Sequence, residues 1–356
     1  MGNLRIAIVL LILSGGFYYS AANSNIRAMW VTAWSLKDAD KIDQIVNTAK
    51  EHKFNQIFVQ TRYRADALYI PNKQDTSFKN NETTSYILAS NKGFDPLERM
   101  ILKCREENIE VHAWVTVFVG SNGDVSKLPF SHLWFQHPEW FTCMKNGKKM
   151  DSSSHEGAFI DPGIPQAQDY LLNIFKDIVS NYEISGFQLD YIRYPDSLSG
   201  FNPLALEYFT SKNMKDFHLW KTQNVTSFVE KCYKELKNIR PNLSISAAVI
   251  ADSSKAYNMY SQNWNDWLNK NIVDKVYLMA YNTSQKSFQR LIHRIEKSPN
   301  RDKMVVGIKA WNENENYTEH KINEKIKILK KYDFNDIGYY SYAGMKDGNF
   351  FEKIKF

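Results

Sequence analysis

The sequence predicts a (β/α)8 barrel, in which eight parallel strands alternate with helices around one closed sheet. Apolar runs that suit strands alternate with amphipathic, helix-length segments along the whole chain. The strand-like runs are continuously apolar rather than alternating, as in a parallel sheet that is covered on both faces. The chain has 356 residues, which exceeds the roughly 250 residues of a minimal barrel and leaves room for insertions.

The elements follow in regular order. The predicted strands are 26–34, 54–62, 109–119, 184–191, 243–251, 274–282, 303–311 and 336–344. The predicted helices are 41–53, 95–108, 165–182, 224–239, 263–271, 287–298 and 319–332. Ile42, Ile45, Val46 and Ala49 recur at helical spacing, and Pro165 is placed as the first residue of a helix.

Three insertions interrupt this order, at 65–93, 119–160 and 195–223. Each follows a strand, on the face where barrels build their sites. A doubly wound open sheet is the alternative architecture. It is weakened because no Gly-x-Gly-x-x-Gly segment follows the first strand.

The composition argues against some classes of binding partner. The chain is 43% hydrophobic and 14% aromatic with a net charge of +6, and its Lys residues are interleaved with acids, as in 320–333. Without an Arg-rich block to neutralise phosphates, no nucleic-acid partner is predicted. Three cysteines without a Cys-x-x-Cys pair argue against a disulfide framework and a zinc site. We predict no cofactor and no metal, and we expect a monomer.

The N-terminus resembles a secretory signal. Arg5 precedes an apolar run from Ile6 to Leu13, and Ser20 and Ala22 fit the small positions of a cleavage site. We therefore predict a signal peptide at 1–22 and a single barrel domain at 23–356, secreted or held in the periplasm or cell envelope. An uncleaved N-terminal anchor is the alternative, and after cleavage no stable membrane span is expected.

In a barrel, residues at the C-terminal ends of the strands converge on one pocket. The candidates at these positions are Trp34, Arg62, Arg64, Asp66, His112, Trp114, Asp190, Tyr191, Arg193, Asp252, Tyr281, Asn282, Trp311, Glu313, Tyr340 and Tyr342. Aromatic rings can stack on the C–H faces of sugars, and charged groups can bond their hydroxyls. The chain lacks the His-Glu-x-x-His spacing of zinc proteases, a Gly-x-Ser-x-Gly elbow and a phosphate-binding loop. An oligosaccharide or polysaccharide is therefore the predicted partner.

Asp190 is the most informative of these residues, because a carboxylate directly after the strand "GFQL" has few structural roles inside a barrel mouth. Other candidates have structural alternatives. Arg62 and Arg64 alternate on a strand and could pair with acids at the rim, Asp66 could cap a turn, and His112 could be a core histidine. The residues predicted to bind substrate are Arg62, Arg64, Asp66, His112, Trp114, Tyr191, Arg193, Tyr281, Trp311 and Tyr340.

Several blocks carry a family resemblance. "FNQIFVQTRYRADALYIP", "AFIDPGIPQAQDYLLNIFKDIVSNYEISGFQLDYIRYP" and "WNDWLNKNIVDKVYLMAYN" occur in the order seen in the bacterial glycosyl-hydrolase-like 10 family, which the chain resembles over most of 23–356. The resemblance implies a secreted or lipid-anchored TIM-barrel glycosidase. The family's fourth-strand motif has two consecutive aspartates, whereas here Tyr191 follows Asp190. In that respect the motif is nearer the glycosyl-hydrolase-like 13 group.

Glycoside hydrolysis generally uses one ionised and one protonated carboxyl group. Arg193 beside Asp190 predicts an ionised nucleophile or base, since a nearby cation lowers a carboxyl pKa. The acid candidates are Asp252, Glu313 and Asp66. We favour Asp252, because it follows the adjacent strand.

Two functions of different class remain open from the sequence. One is an exported glycoside hydrolase acting on a cell-wall or surface polysaccharide. The other is a barrel that binds glycan without cleaving it, which the missing second aspartate suggests. A scaffold protein of the envelope is a weaker third reading.

Overall fold

In the computed structural model, which describes residues 25–88, 91–281, 284–311 and 317–355, helices surround a closed ring of strands. The strands in this part are β1 Arg27–Val31, β2 Gln56–Tyr63, β3 Asp66–Ala67, β4 Thr83–Thr84, β5 Glu110–Thr116, β6 Gly186–Asp190, β7 Ser244–Ile250, β8 Lys275–Met279, β9 Met304–Lys309 and β10 Ile337–Tyr340. The helices there are α1 Ala39–Glu51, α2 Pro96–Glu106, α3 Leu133–Gln136, α4 Pro165–Asn181, α5 Pro203–Ser211, α6 Phe217–Ile239, α7 Ser253–Tyr260, α8 Trp264–Asn269, α9 Gln285–Ile295, α10 Glu319–Lys331 and α11 Tyr342–Asp347.

Some of the sequence predictions concern residues outside this part of the chain. The signal peptide at 1–22, Asn282 and Glu313 lie outside the described residues. Within them, no helix is both long enough and apolar enough to cross a bilayer.

The ring closes because β1 pairs in parallel with both β2 and β10: Met29 lies opposite Ile57 on one side and Tyr339 on the other. The order around the ring is β1, β2, β5, β6, β7, β8, β9, β10. The predicted (β/α)8 barrel is confirmed, and the open sheet is excluded. The short strand β3 folds back antiparallel on the end of β2 and pairs with β4, which forms a small flap outside the ring.

Helix starts explain where the structure differs from the predicted boundaries. Helix α6 begins at Phe217 rather than at 224, because the Asp216 side chain accepts a hydrogen bond from the backbone N–H of Leu219. The predicted last strand, 336–344, ends at Tyr340, and the next residue, Ser341, caps α11. Three further helices, α3, α5 and α7, lie in segments predicted as loops, and they are capped by His132, Asn202 and Asp252.

The barrel has two apolar layers. The outer layer lies between strands and helices and contains, for example, Val111, Ala113 and Val115 of β5. The inner layer is mainly aromatic, with the rings of Trp30 and Phe58 stacked 5.0 Å apart. The indole N–H of Trp30 donates to Gln188 Oε1 at 2.7 Å, so the buried indole has a hydrogen-bond partner. These rings fill the centre of the barrel, and a cavity opens above them at the C-terminal ends of the strands.

Candidate active site

A cavity of about 950 Å³ opens at the C-terminal ends of the barrel strands. Its volume lies in the range of small-molecule sites. The predicted site residues that line it are Asp190, Asp252, Trp114, Tyr191, Arg193, Tyr281, Trp311 and Tyr340. Arg62, Arg64, Asp66 and His112 do not line it.

Asp190 is the last residue of β6 and is held by two donors. The Trp114 indole N–H donates to Oδ2 at 2.9 Å, and the Tyr191 backbone N–H donates to Oδ1 at 2.7 Å. Tyr191 itself has a φ of +51°, a left-handed conformation that is unusual for a bulky residue. Strained backbone of this kind is common at functional sites, where the surrounding structure compensates its cost.

The electrostatics of Asp190 differ from the sequence prediction. Burial raises the pKa of this carboxyl to about 6, although the bonds from Trp114 and Tyr191 and the charge of Arg193 each lower it. Arg193 acts in the expected direction, but burial outweighs it. The predicted net lowering of the Asp190 pKa is therefore wrong, although a carboxyl with a pKa of about 6 is still mostly ionised at pH 7.

Arg193 lies between two rings. Its guanidinium carbon is 4.9 Å from the Tyr191 ring centroid and 4.8 Å from that of Tyr260. It also donates to the backbone carbonyl of Tyr194 at 3.3 Å. These contacts hold the cation at the wall of the cavity, where it can reach a ligand hydroxyl.

Asp252 reaches the cavity but has the electrostatics of an ionised cap. Its side chain accepts from the Lys255 backbone N–H at the start of α7, and Arg294 Nη1 lies 3.1 Å from its Oδ2. The bond from Lys255, reinforced by Arg294, lowers the pKa of Asp252. A proton donor needs the opposite shift. The expectation that Asp252 is the acid is therefore not supported by its surroundings.

Aromatic rings form much of the remaining wall. The Tyr340 ring stacks on Tyr281 at 5.3 Å, and Trp311 meets both rings edge-on at 5.6 and 5.5 Å. At the mouth, Trp34 is 48% exposed and contacts the exposed ring of Tyr86. Flat, partly exposed rings of this kind suit the apolar faces of sugar rings.

Arg62 lies behind the cavity wall. Its Nε donates to Glu82 Oε1 at 2.7 Å, and its Nη1 donates to the carbonyls of Thr116 and Val117 at 2.5 and 3.1 Å. Both charged side chains are fully buried. The prediction that Arg62 contacts substrate is corrected to a positioning role: it fastens the flap to the end of β5.

A β-bulge explains this placement. The register between β2 and β5 shifts between Gln60 and Arg62, so that Gln60 lies opposite Trp114 and Arg62 opposite Val115. One extra residue turns every later side chain to the other face of the sheet. The bulge therefore turns Arg62 away from the cavity. Because β2 ends at Tyr63 and Arg64 has a left-handed φ of +60°, the strand alternation that placed Arg62 and Arg64 on one face does not reach Arg64.

Asp66 and His112 also lie outside the cavity. Asp66 accepts from the Thr83 hydroxyl at 2.8 Å within the flap, and burial raises its pKa to about 7. His112 packs on Phe58 inside the barrel, and a Cβ on Gly186 would lie only 2.1 Å from its Nδ1. Both therefore occupy structural positions, and neither is placed to contact a ligand in the cavity.

Glu156 is a cavity carboxylate that the sequence analysis did not single out. The Tyr63 hydroxyl and Arg64 Nη2 each donate to its Oε2 at 3.2 Å, and Arg64 Nε donates to its backbone carbonyl at 2.7 Å. The next residue, Gly157, has a φ of +133°, and a Cβ there would lie 1.8 Å from the Ser121 carbonyl oxygen. Arg64 and Gly157 together fix the loop that carries Glu156, so Arg64 is a positioning residue.

The cavity also contains cations that were not predicted, namely Lys255, Arg290 and Arg294. Arg290 and Arg294 are one turn apart on α9, a spacing that puts both on one face of that helix. Among the described residues, a cluster that could hold a metal ion is formed by Glu51, His52 and Glu352, and it does not line the cavity.

A closed barrel whose strand ends open into an aromatic cavity lined by the carboxyl groups of Asp190, Asp252 and Glu156 is a glycosidase-type (β/α)8 fold. Residues 25–337 match the family model described as glycosyl hydrolase-like 10. The chain belongs to this family, which confirms the resemblance noted from its motifs.

Two curated proteins are similar in sequence to part of this chain. "Glycosyl hydrolase YngK" of Bacillus subtilis is 22% identical over 62% of this chain and 44% of its own. "Glycosyl hydrolase DigH" of Escherichia coli K12 is 25% identical over 59% of this chain and 46% of its own. The match thus spans less than half the length of these relatives.

Solved structures agree on the fold. The PgaB (BpsB) glycoside hydrolase domain from Bordetella bronchiseptica superposes with a TM-score of 0.74 at 12% identity, covering 92% of this chain and 97% of that domain. Alpha-L-fucosidase isoenzyme 2 from Paenibacillus thiaminolyticus gives 0.65 at 10% identity, covering 89% and 46%. At such identities the likeness shows the fold alone.

Proposed function

We propose that this chain is an exported glycoside hydrolase that cleaves a cell-wall or surface polysaccharide with two carboxyl groups. One observation carries the proposal: Asp190 and Glu156 line the same sugar-sized cavity, and the charge of Glu156 contributes to the raised pKa of Asp190. When two carboxyl groups interact but have different surroundings, their pKa values differ, and one can act as the acid while the other acts as the base. Export rests on the signal pattern at 1–22.

The surroundings of Asp190 and Glu156 suit the two carboxyl groups to different catalytic roles. Asp190 is buried and has a raised pKa, so it suits the proton donor to the leaving oxygen. Glu156 is ion-paired with Arg64, and both of its side-chain bonds go to Oε2. Within the described residues Oε1 accepts no hydrogen bond, so this oxygen can act as the nucleophile or activate a water. Tyr281, Trp311 and Tyr340 would then stack on the sugar, and Arg193 would bond its hydroxyls.

The pH dependence of cleavage follows from this division. Below pH 6 most Asp190 is protonated, and above it the protonated fraction falls about tenfold per pH unit. The kcat/KM of wild type is therefore expected to decline above about pH 6, to about a hundredth of its plateau at pH 8. A pH–rate profile on a defined oligosaccharide measures this. Activity that instead rises through pH 6 would assign Asp190 as the base or nucleophile.

Glu156 and Asp252 can be separated as the second carboxyl. We expect Glu156→Gln to lower kcat about a hundredfold or more, because the carboxyl oxygen that would act as the nucleophile or base is replaced by an amide. Asp252→Asn removes the ion pair with Arg294 at the cavity edge, while the Asn side chain can still cap α7, and we expect less than about a tenfold loss. Single-turnover rates with matched melting temperatures make the comparison. The reverse order of losses would restore Asp252 as the partner of Asp190.

The proposal as a whole is tested with the chain from residue 23. It is incubated with peptidoglycan fragments and with labelled neutral and acidic oligosaccharides, and new reducing ends are identified by mass spectrometry. The non-catalytic alternative draws on Tyr191, which stands where the family motif has a second aspartate. If wild type and Glu156→Gln both bind a glycan and neither produces a new reducing end, the non-catalytic alternative is favoured. Cell fractionation of the full chain tests export.

A further inference from the structure

The cations around the cavity are not evenly distributed. Lys255 lies in α7, directly after β7, and Arg290 lies in α9, after β8. These strands are neighbours in the ring, so both cations lie on one side of the mouth. We call Lys255 and Arg290 the basic rim.

The basic rim has no acidic partner among the described residues. Asp252 is the carboxylate nearest to it in sequence, and that side chain is engaged by Arg294 at 3.1 Å. Glu156 is engaged by Arg64 in another part of the wall. Lys255 and Arg290 are both exposed, and neither side chain forms an ion pair within the described part of the chain.

The opposite side of the mouth is mainly aromatic, and the carboxylate on that side, Glu156, is already paired with Arg64. Strand β1 is four places from β7 in the eight-membered ring, so Trp34, which follows β1, lies across the opening from Lys255. Trp34 and Tyr86 offer exposed rings there. Asp190, at the end of β6, lies between the two sides in the ring order.

A glycan that crosses the cavity would therefore meet rings on one side of Asp190 and unpaired cations on the other. We propose that the basic rim is a subsite for a carboxylate-bearing sugar of the substrate. Arg290 offers the planar fork that matches a carboxylate, and Lys255 adds a point charge. This inference rests on the proposed function, because it places the charged sugar on the glycan whose bond lies at Asp190.

Binding measurements test the subsite without requiring cleavage. The probes are peptide-free peptidoglycan glycan strands, a hyaluronan hexasaccharide and an oligogalacturonate hexamer, each paired with its carboxyl-reduced form. We expect wild type to bind at least one charged probe about tenfold more tightly than its neutral partner in 50 mM salt. This preference should shrink as salt is raised, because exposed charges are screened.

The variant Lys255→Ala/Arg290→Ala should lose the preference, with its affinity for the neutral partner unchanged within about twofold. The control Lys212→Ala/Lys234→Ala removes the same charge from exposed positions that do not line the cavity, and it should behave as wild type. Equal affinity of wild type for both members of every pair, or a preference that survives in the rim variant, overturns the subsite. Charge-dependent binding without hydrolysis of any probe would keep the subsite and remove the hydrolase proposal.

Discussion

Replacing Asp190 by Asn is expected to lower kcat/KM on a cleavable glycan by about 10³- to 10⁴-fold, at the upper end of what a positioned acid or base contributes. The amide keeps the shape of the carboxyl and its one oxygen can still accept either the Trp114 or the Tyr191 bond, but it cannot transfer a proton. Sugar affinity should change little, since the aromatic walls remain. Steady-state kinetics and equilibrium binding on the same oligosaccharide measure the two effects separately.

The exposed acid Asp347, on α11, provides the control: Asp347→Asn should retain full activity. The Asp190→Asn protein should also show the near-ultraviolet circular dichroism of wild type, which excludes a folding defect. A variant that folds, binds sugar and still cleaves at more than a tenth of the wild-type rate would contradict a proton-transfer role for Asp190.

The second large effect concerns stability rather than chemistry. Arg62→Leu is expected to lower the free energy of unfolding by about 3–5 kcal/mol, because Glu82 is left as an uncompensated charge in a fully buried position. The guanidinium bonds to Thr116 and Val117 are lost as well. Urea denaturation followed by tryptophan fluorescence measures the change.

Two variants locate the cause of this loss. Arg62→Leu/Glu82→Met replaces the whole buried pair with apolar groups and should recover most of the stability. Lys50→Ala breaks an exposed pair with Glu107 at 2.8 Å and should cost less than about 1 kcal/mol. If the double variant is as unstable as Arg62→Leu alone, the loss of stability comes from the missing hydrogen bonds to β5 and not from the unpaired buried charge of Glu82.

The barrel itself could be predicted because its signals are local. Continuous apolar runs and amphipathic helices repeat along the chain, and Asp190 could be located because it directly follows such a run. Trp114, Tyr281 and Tyr340 were found in the same way, by their place at strand ends. Each of these residues lines the cavity.

Other features of the site could not be predicted, because no local sequence pattern indicates them. A single extra residue in β2 turned Arg62 away from the cavity, and no periodicity reveals where a bulge will form. Glu156 belongs to a Ser- and Gly-containing insertion whose path is set by distant contacts with Tyr63 and Arg64. The pKa of Asp190 depends on burial in three dimensions, which outweighed the neighbouring cation visible in the sequence.

Asp190 belongs to a barrel strand, whereas Glu156 belongs to the insertion 119–160. The gap between two such carboxyls decides whether the anomeric configuration of the product is retained, at about 5–5.5 Å, or inverted, at about 6.5–9.5 Å. An exchange of this insertion for one of different length would move one carboxyl and leave the hydrogen bonds of the other intact. If Asp190 and Glu156 are the catalytic pair, as we propose, the stereochemical course depends on a replaceable segment, and variants of that segment could differ in it while sharing an identical frame.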